Sequence, residues 1–260
     1  MKSFNSKTNS YLQKKRNTIK LNLFEYTKKN SSFLGSCLSC LDILIYLYYF
    51  KYDLSSKNKF RSRFILSKGH AAPTIYSILF DKKIIFKKKF LSRHVYWHPN
   101  KNIKTIDFQT GALGHGLPVS IGMAKFYLKN KSRNKIITLL GDGELNEGSV
   151  WESLFLAINW KLNNLIIIVD KNKFQANEKT SKVMKINNEK QIFKNLGFQV
   201  LECNGHSFKN INDQFKKIKN SKPVIVIANT IRNYGIKEIQ NKKDYWFFNK
   251  IDKKISLLKN

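Results

Sequence analysis

Five short runs of apolar, mostly β-branched residues recur along this chain: "RFILS" (63–67), "KIITLL" (135–140), "NLIIIVD" (164–170), "FQVLEC" (198–203) and "PVIVIAN" (223–229). Their hydrophobicity is continuous rather than alternating, so these strands must be covered on both faces, which demands a parallel sheet with helices on each side. The expected fold class is α/β: a doubly wound, mostly parallel sheet with helices on both faces. No internal repeat and no Pro- or Ser-rich linker interrupts the pattern, and a single domain over 1–260 is the expected organisation.

Between the runs lie stretches with helical spacing. "GLPVSIGMAKFYLKN" carries Val119, Ile121, Met123, Ala124, Tyr127 and Leu128, which predicts a mostly buried helix opening after a glycine turn. "EGSVWESLFLAINWKL" places Val150, Trp151, Leu154, Phe155 and Ile158 three to four residues apart, with Glu147 and Glu152 toward its N-terminal half. Trp151 and Trp160 are expected in the core. Near the start, "YLQKKRNTIKLNLFEY" predicts a basic amphipathic helix with Leu12, Ile19, Leu23 and Tyr26 inward.

The formal charge of +31 raises nucleic acid or an anionic membrane surface as a partner. The lysines are spread along the whole chain rather than gathered into a stripe interleaved with aromatics, so a nucleic-acid partner is the least favoured reading and a general compositional drift the most favoured. No apolar run reaches the roughly 18 residues of a membrane span. Three cysteines, Cys37, Cys40 and Cys203, cannot all pair, which points to a reducing cytoplasm. Cys37 and Cys40 form a lone CxxC without a second ligand pair and are expected to be small buried thiols.

Chemistry concentrates between Gly141 and Asn172. In doubly wound sheets ligands sit beyond the carboxyl ends of the strands. Asp142 follows one predicted strand and Asn172 the next, so both point into one crevice. A carboxylate, an amide oxygen and an adjacent backbone carbonyl are hard oxygen donors that suit Mg²⁺ completed by phosphate oxygens and water. Gly141 and Gly143 let the backbone pass close to a diphosphate, and the following helix start offers free N–H groups.

The motif "GDG…N" in that context is similar to the thiamine-diphosphate motif, and the surrounding segments resemble the N-terminal part of transketolases. "RSRFILSKGHAAPTIYSIL" (61–79), "HPN" (98–100), "TGALGHGLPVSIGMA" (110–124), "GDGELNEGSVWE" (141–152) and "KLNNLIIIVDKNKFQ" (161–175) each match that family in its own order. The resemblance implies that Asp142 and Asn172 hold Mg²⁺ with the backbone carbonyl of Phe174. It implies that His70 and the Gly143 N–H touch the cofactor diphosphate, that Gly111 and Leu113 lie against the cofactor, and that His98 contacts the donor sugar. Glu147 corresponds to an acid at the subunit interface that couples two active sites. His115 is expected to cap a helix or bond locally, His206 to be structural, and His94 to be exposed.

The chain departs from the family in places. Phe33 stands where the family has an active-site histidine, Trp246 and Phe247 stand near a second, and "QANE" (175–178) lacks the usual Asp-Gly. The family's cofactor-activating glutamate lies in a pyrimidine-binding domain beyond the segment matched here. The resemblance therefore implies the N-terminal subunit of a split transketolase, acting on sugar phosphates with a C-terminal subunit, in an α2β2 assembly. Alternatives of the same kind are the thiamine-binding subunit of a deoxyxylulose-phosphate synthase or an oxoacid dehydrogenase; a non-catalytic remnant is a further one.

Overall fold

The structure, a computed structural model, describes residues 3–52, 54–56, 61–92 and 97–249. All five apolar runs become strands: β1 (Arg63–Leu66), β2 (Ile136–Gly141), β3 (Leu165–Lys171), β4 (Gln199–Asn204) and β5 (Val224–Asn229). They form one parallel sheet in the order β1-β2-β3-β5-β4. β2 and β3 pair with Ile136 opposite Leu165 and Gly141 opposite Asp170. From Leu165 to Asp170 every residue of β3 is buried, as continuous hydrophobicity requires of a central strand.

Helices cover both faces, as expected of a doubly wound sheet. One side holds α1 (Ser6–Asn30), α2 (Leu34–Ser39), α3 (Leu41–Tyr46) and α4 (Ala72–Asp81); the other holds α5 (Gly116–Lys129), α6 (Gly148–Asn159) and α7 (Glu189–Asn195); α8 (Phe208–Phe215) returns to the first. Alternate strand residues serve the two cores: Ile166 and Ile168 pack on the first side, Leu165, Ile167 and Val169 on the second. α1 is capped by Asn5, whose side chain accepts from the Thr8 N–H, and ends on Lys28 and Lys29, where cations favour the helix terminus. Its Leu12, Ile19, Leu23 and Tyr26 are fully buried, as the spacing predicts. No helix among the described residues is long and apolar enough to cross a membrane.

Three expectations are corrected. α5 buries only one stripe, with Leu117, Ile121 and Ala124 inside and Phe126 64% exposed. On α6, Phe155 is 58% exposed, and Trp160 lies at the surface at 36% beneath the Lys125 ammonium rather than in the core. Trp151 is half-buried, its indole N–H donating to the Leu145 carbonyl at 2.7 Å. Helical spacing marks every apolar position alike, but a two-layer contact with the sheet covers only one stripe of each helix. The third correction concerns the glycines after β2: α6 begins only at Gly148, and Asp142–Asn146 forms a 3-10 turn, so the amides nearest Asp142 belong to that turn.

Candidate functional site

Strand register explains how two residues far apart in sequence meet. Gly141 lies opposite Asp170, so Asp142 and Asn172 leave the same edge of adjacent strands. Both are almost fully buried, at 6% and 5% exposure, and both line a cavity of about 620 Å³ together with Phe174, Thr230 and Ile231. Backbone amides fix the carboxylate: Gly143 N–H donates to Oδ1 at 3.1 Å and Lys173 N–H to Oδ2 at 2.7 Å. The Asn172 Oδ1 accepts from the Phe174 N–H at 2.9 Å, while its Nδ2 donates to Ser39 Oγ at 3.3 Å. The amide orientation is therefore set from both ends.

The donor set can be tested against a divalent cation. Burial pushes the Asp142 carboxyl up to about 7, with the nearby Asp170 charge adding to the effect and the Lys173 amide opposing it. A buried carboxylate in that condition is short of positive charge. One carboxylate, one amide oxygen and the neighbouring carbonyls are the hard oxygen ligands that Mg²⁺ prefers, so the residues fit that ion. Among the described residues there is no cluster of three His, Cys, Asp or Glu groups, so any metal here relies on amide and carbonyl oxygens beside the one carboxylate.

A second group of predicted residues gathers beside the first. A Cβ on Gly69 would stand 3.0 Å from the His98 ring and 2.8 Å from Thr110 Oγ1, and one on Gly111 would stand 3.7 Å from the same imidazole. His70, His98 and Gly111 thus share one wall. The His70 Nε2 meets Ser36 Oγ at 2.8 Å, and its pKa falls to about 3, chiefly through burial and then through the charge of Lys68. This imidazole is neutral at physiological pH. Burial also lowers the His98 pKa, and its carbonyl is held by Tyr76 Oη at 2.5 Å.

Leu113 and Glu147 sit further out. Leu113 is 37% exposed. Gly114, at φ +75°, packs so closely on Glu147 that a Cβ would stand 2.7 Å from the glutamate Cβ, a conformation and a gap that only glycine accepts. Glu147 is the N-terminal boundary residue of α6 and is half-buried.

Several residues that the motifs passed over hold the site together. Glu144, buried in the 3-10 turn, accepts from Ser67 Oγ at 2.5 Å, the Gly114 N–H at 3.1 Å and the Gly141 N–H at 2.8 Å, tying three loops to one carboxylate. Asp170, fully buried at the end of β3, takes Lys68 Nζ, Thr230 Oγ1 and, at 2.5 Å, Ser39 Oγ. Arg232, in the turn after β5, is 4% exposed and lies with its guanidinium carbon 4.9 Å over the Phe174 ring. A charged residue inside or just after an apolar strand run was the available signal for Asp170 and Lys68.

The remaining histidines and thiols are structural where they are described. His206 accepts the Ile231 N–H on Nε2 at 2.8 Å, leaving Nδ1 to donate to Asp42 at 3.1 Å. His115 bonds locally, to the Leu113 carbonyl at 2.9 Å. His94 lies outside the described residues. Cys37, Cys40 and Cys203 are all free and buried, and burial raises the Cys37 thiol to about 12.

Phe33, which the resemblance sets at a histidine of the family, does not stand alone. Its ring lies 5.5 Å from His70, 5.2 Å from Trp97 and 5.0 Å from both Trp246 and Phe247. An antiparallel bridge between Ser32 and Phe248 draws the C-terminal aromatics onto it. "QANE" makes a two-residue ladder, Phe174 opposite Lys179 and Gln175 opposite Glu178, with Ala176 at φ +48° in the region glycine favours.

A parallel sheet whose strand ends carry a buried carboxylate, an oriented amide and a glycine-lined histidine wall defines an α/β domain for a phosphorylated cofactor. Comparison with known proteins gives it a family. The family model described as "Transketolase, thiamine diphosphate binding domain" matches residues 13–247. One subunit of the apulose-4-phosphate transketolase of Phocaeicola vulgatus is 34% identical over 86% of this chain and 83% of its own. The corresponding subunit from Actinobacillus succinogenes is 38% identical over 81% and 80%. The crystal structure of transketolase from Campylobacter jejuni superposes with a TM-score of 0.82 at 29% identity, over 93% of this chain and only 41% of that one. The chain belongs to the transketolase family and carries its thiamine-diphosphate-binding domain.

Proposed function

We propose that this chain is the cofactor-binding subunit of a transketolase assembled from separate chains, which moves a two-carbon ketol unit from a ketose phosphate to an aldose phosphate in the pentose phosphate pathway. The observation that carries this reading is the buried Asp142 carboxylate, held by two amides beside Asn172 at the mouth of a cavity. Asp142, Asn172 and the Phe174 carbonyl hold Mg²⁺, and Gly143 and His70 face the diphosphate. When bound, thiamine diphosphate supplies the electron sink that lets a carbon–carbon bond beside a carbonyl break.

The protein's own residues prepare that step. The neutral His70 ring, fixed by Ser36, offers a hydrogen-bonding edge without adding charge. His98, set against Gly69 and Gly111, faces the donor sugar. The aromatic cluster of Phe33, Trp97, Trp246 and Phe247 lies beside His70 and gives that side of the site an apolar border. Leu113 lies against the cofactor at the rim.

The relatives named as subunits of apulose-4-phosphate transketolases support a second chain, to which we assign the pyrimidine-binding domain and its carboxylate, in an α2β2 assembly. The exposed side chains of Phe126, Phe155 and Trp160 and the half-buried Glu147 suit the subunit interface of such an assembly. Free buried thiols suit a cytoplasmic location.

The test mixes the purified chain with a candidate C-terminal subunit, Mg²⁺ and thiamine diphosphate, and follows ketol transfer between sugar phosphates. Turnover by the mixture and none by either chain is the expected result; robust turnover by this chain alone refutes the assignment.

A further inference from the structure

Lysines run along the whole sequence, but the fold gathers a group of them on one face. On α1 the buried Leu12, Ile19, Leu23 and Tyr26 point into the core, and helical geometry puts Lys7, Tyr11, Lys14, Leu21, Glu25 and Lys28 on the opposite, outward stripe. Tyr11 and Leu21 stand exposed on it. The stripe continues into the segment after α4. Lys87 Nζ meets Glu25 at 2.9 Å and Asn30 Nδ2 donates to the Leu91 carbonyl at 3.3 Å, so the short helix Lys87–Phe90 lies beside the last turns of α1. At the head of that short helix Phe86 is 79% exposed, the most open large hydrophobic side chain among the described residues, although Ile85 and Phe90 are both buried.

Counter-charge is scarce on this face. Glu25 is the only acid in residues 1–41, and residues 82–106 contain none. Lys87 takes Glu25, while Asp81 at the end of α4 is shared by Lys15 and Tyr49. Lys14, Lys29, Lys83, Lys88 and Lys89 are exposed, and among the described residues no carboxylate pairs with them. The face therefore combines unpaired cations with open aromatic and aliphatic groups. A partner must offer negative charge with apolar material beneath it. A phosphodiester backbone offers Leu21 nothing, and the one arginine of α1, the residue type best suited to fork onto phosphates, turns inward onto Asp42 at 2.5 Å. Anionic lipid headgroups over acyl chains meet both needs.

We propose that this face docks the chain on an anionic lipid surface: α1 lies along the bilayer, its lysines and those of residues 82–89 meet the headgroups, and Phe86 enters the boundary with the acyl chains. Charge draws the face to the surface and the phenyl ring holds it there, so both contributions are needed for stable binding. The inference is independent of the proposed function. The contacts assigned to a second subunit, at Phe126, Phe155 and Trp160, lie on the other helical layer, and the two surfaces do not compete.

The test is cosedimentation of the full-length chain with vesicles of phosphatidylcholine alone and of phosphatidylcholine with equimolar phosphatidylglycerol, over a range of salt. The expected result is binding confined to the anionic vesicles, screened by salt, and weaker by about tenfold or more in Phe86→Ser and in Lys88→Glu with Lys89→Glu. These side chains are exposed, so the melting temperature stays at the wild-type value. Lys131→Glu with Lys161→Glu, in the loops after α5 and α6, changes the net charge by the same amount and should leave binding within about twofold, which separates a docking face from the attraction of any strongly basic protein. No binding to the anionic vesicles, equal losses in the two double variants, or wild-type binding by Phe86→Ser overturns the proposal. Tighter binding to an RNA homopolymer that the same variants weaken overturns it in favour of nucleic acid, and displacement from the vesicles by a candidate C-terminal subunit overturns it in favour of a subunit contact.

Discussion

The Lys173 N–H donates to Asp142 Oδ2 at 2.7 Å across 31 residues of sequence, fastening the turn after β3 to the first residue after β2. This bond makes a single site of two strand ends. Asp142 gains a fixed orientation, and the chain from Lys173 to Phe174 gains the bend that turns the Asn172 amide toward the cavity.

Replacing Asp142 by Asn is expected to separate stability from function. The variant loses the anionic ligand, so retention of Mg²⁺ and thiamine diphosphate by the assembled complex falls tenfold or more. The cofactor-free chain, relieved of a buried charge, melts no lower than wild type. Equilibrium dialysis and thermal unfolding, each with and without Mg²⁺, measure the two effects.

Replacing Asp170 by Asn leaves the Lys68 ammonium buried without its counter-ion. Breaking such a pair costs about 3–5 kcal/mol. Urea unfolding of the chain should show a loss of that order, and Lys68→Met combined with Asp170→Asn should recover much of it.

His70 gives the fold an acid sensitivity with a definite sign. Its folded pKa, about 3, lies below the ordinary value of 6.5, because burial and the Lys68 charge oppose protonation. The unfolded chain takes up a proton below 6.5 and the folded chain does not, so this contribution to stability is complete above 6.5 and declines as pH falls toward 3. His70→Gln should reduce the stability lost between pH 7 and pH 5 by on the order of 1 kcal/mol. Paired denaturation curves at the two pH values provide the check.

Phe155 and Phe126 are exposed at 58% and 64%, and neither supports the core. Phe155→Lys should leave the melting temperature within a degree or two, since surface changes rarely exceed ~0.5 kcal/mol. The same change should shift the assembly toward smaller species in light scattering, because a charge then enters an apolar contact. An unchanged assembly would show that Phe155 is not part of the interface.

Much of the architecture was written in local pattern. Continuous apolar runs can serve only strands covered on both faces, so the five strands, their parallel pairing and the two helical layers follow from composition along the chain. Asp142 and Asn172 were legible because each stands directly after such a run, where a doubly wound sheet opens its crevice. Patterning could not say which side of a helix meets the sheet, and so Phe155 and Trp160 read as core while the structure leaves them at the surface. Long-range partners were also out of reach: Ser39 on the Asn172 amide, Lys68 on Asp170 and the bare guanidinium of Arg232 are decided by which loops the closed sheet brings within a few ångströms. The amino-acid sequence by itself determined the fold and marked Asp142 and Asn172 as hard oxygen donors at neighbouring strand ends, because strand burial and ligand hardness are properties of the residues themselves. Only the tertiary structure decided which buried charges are paired, because pairing depends on distance across elements that the chain order does not reveal.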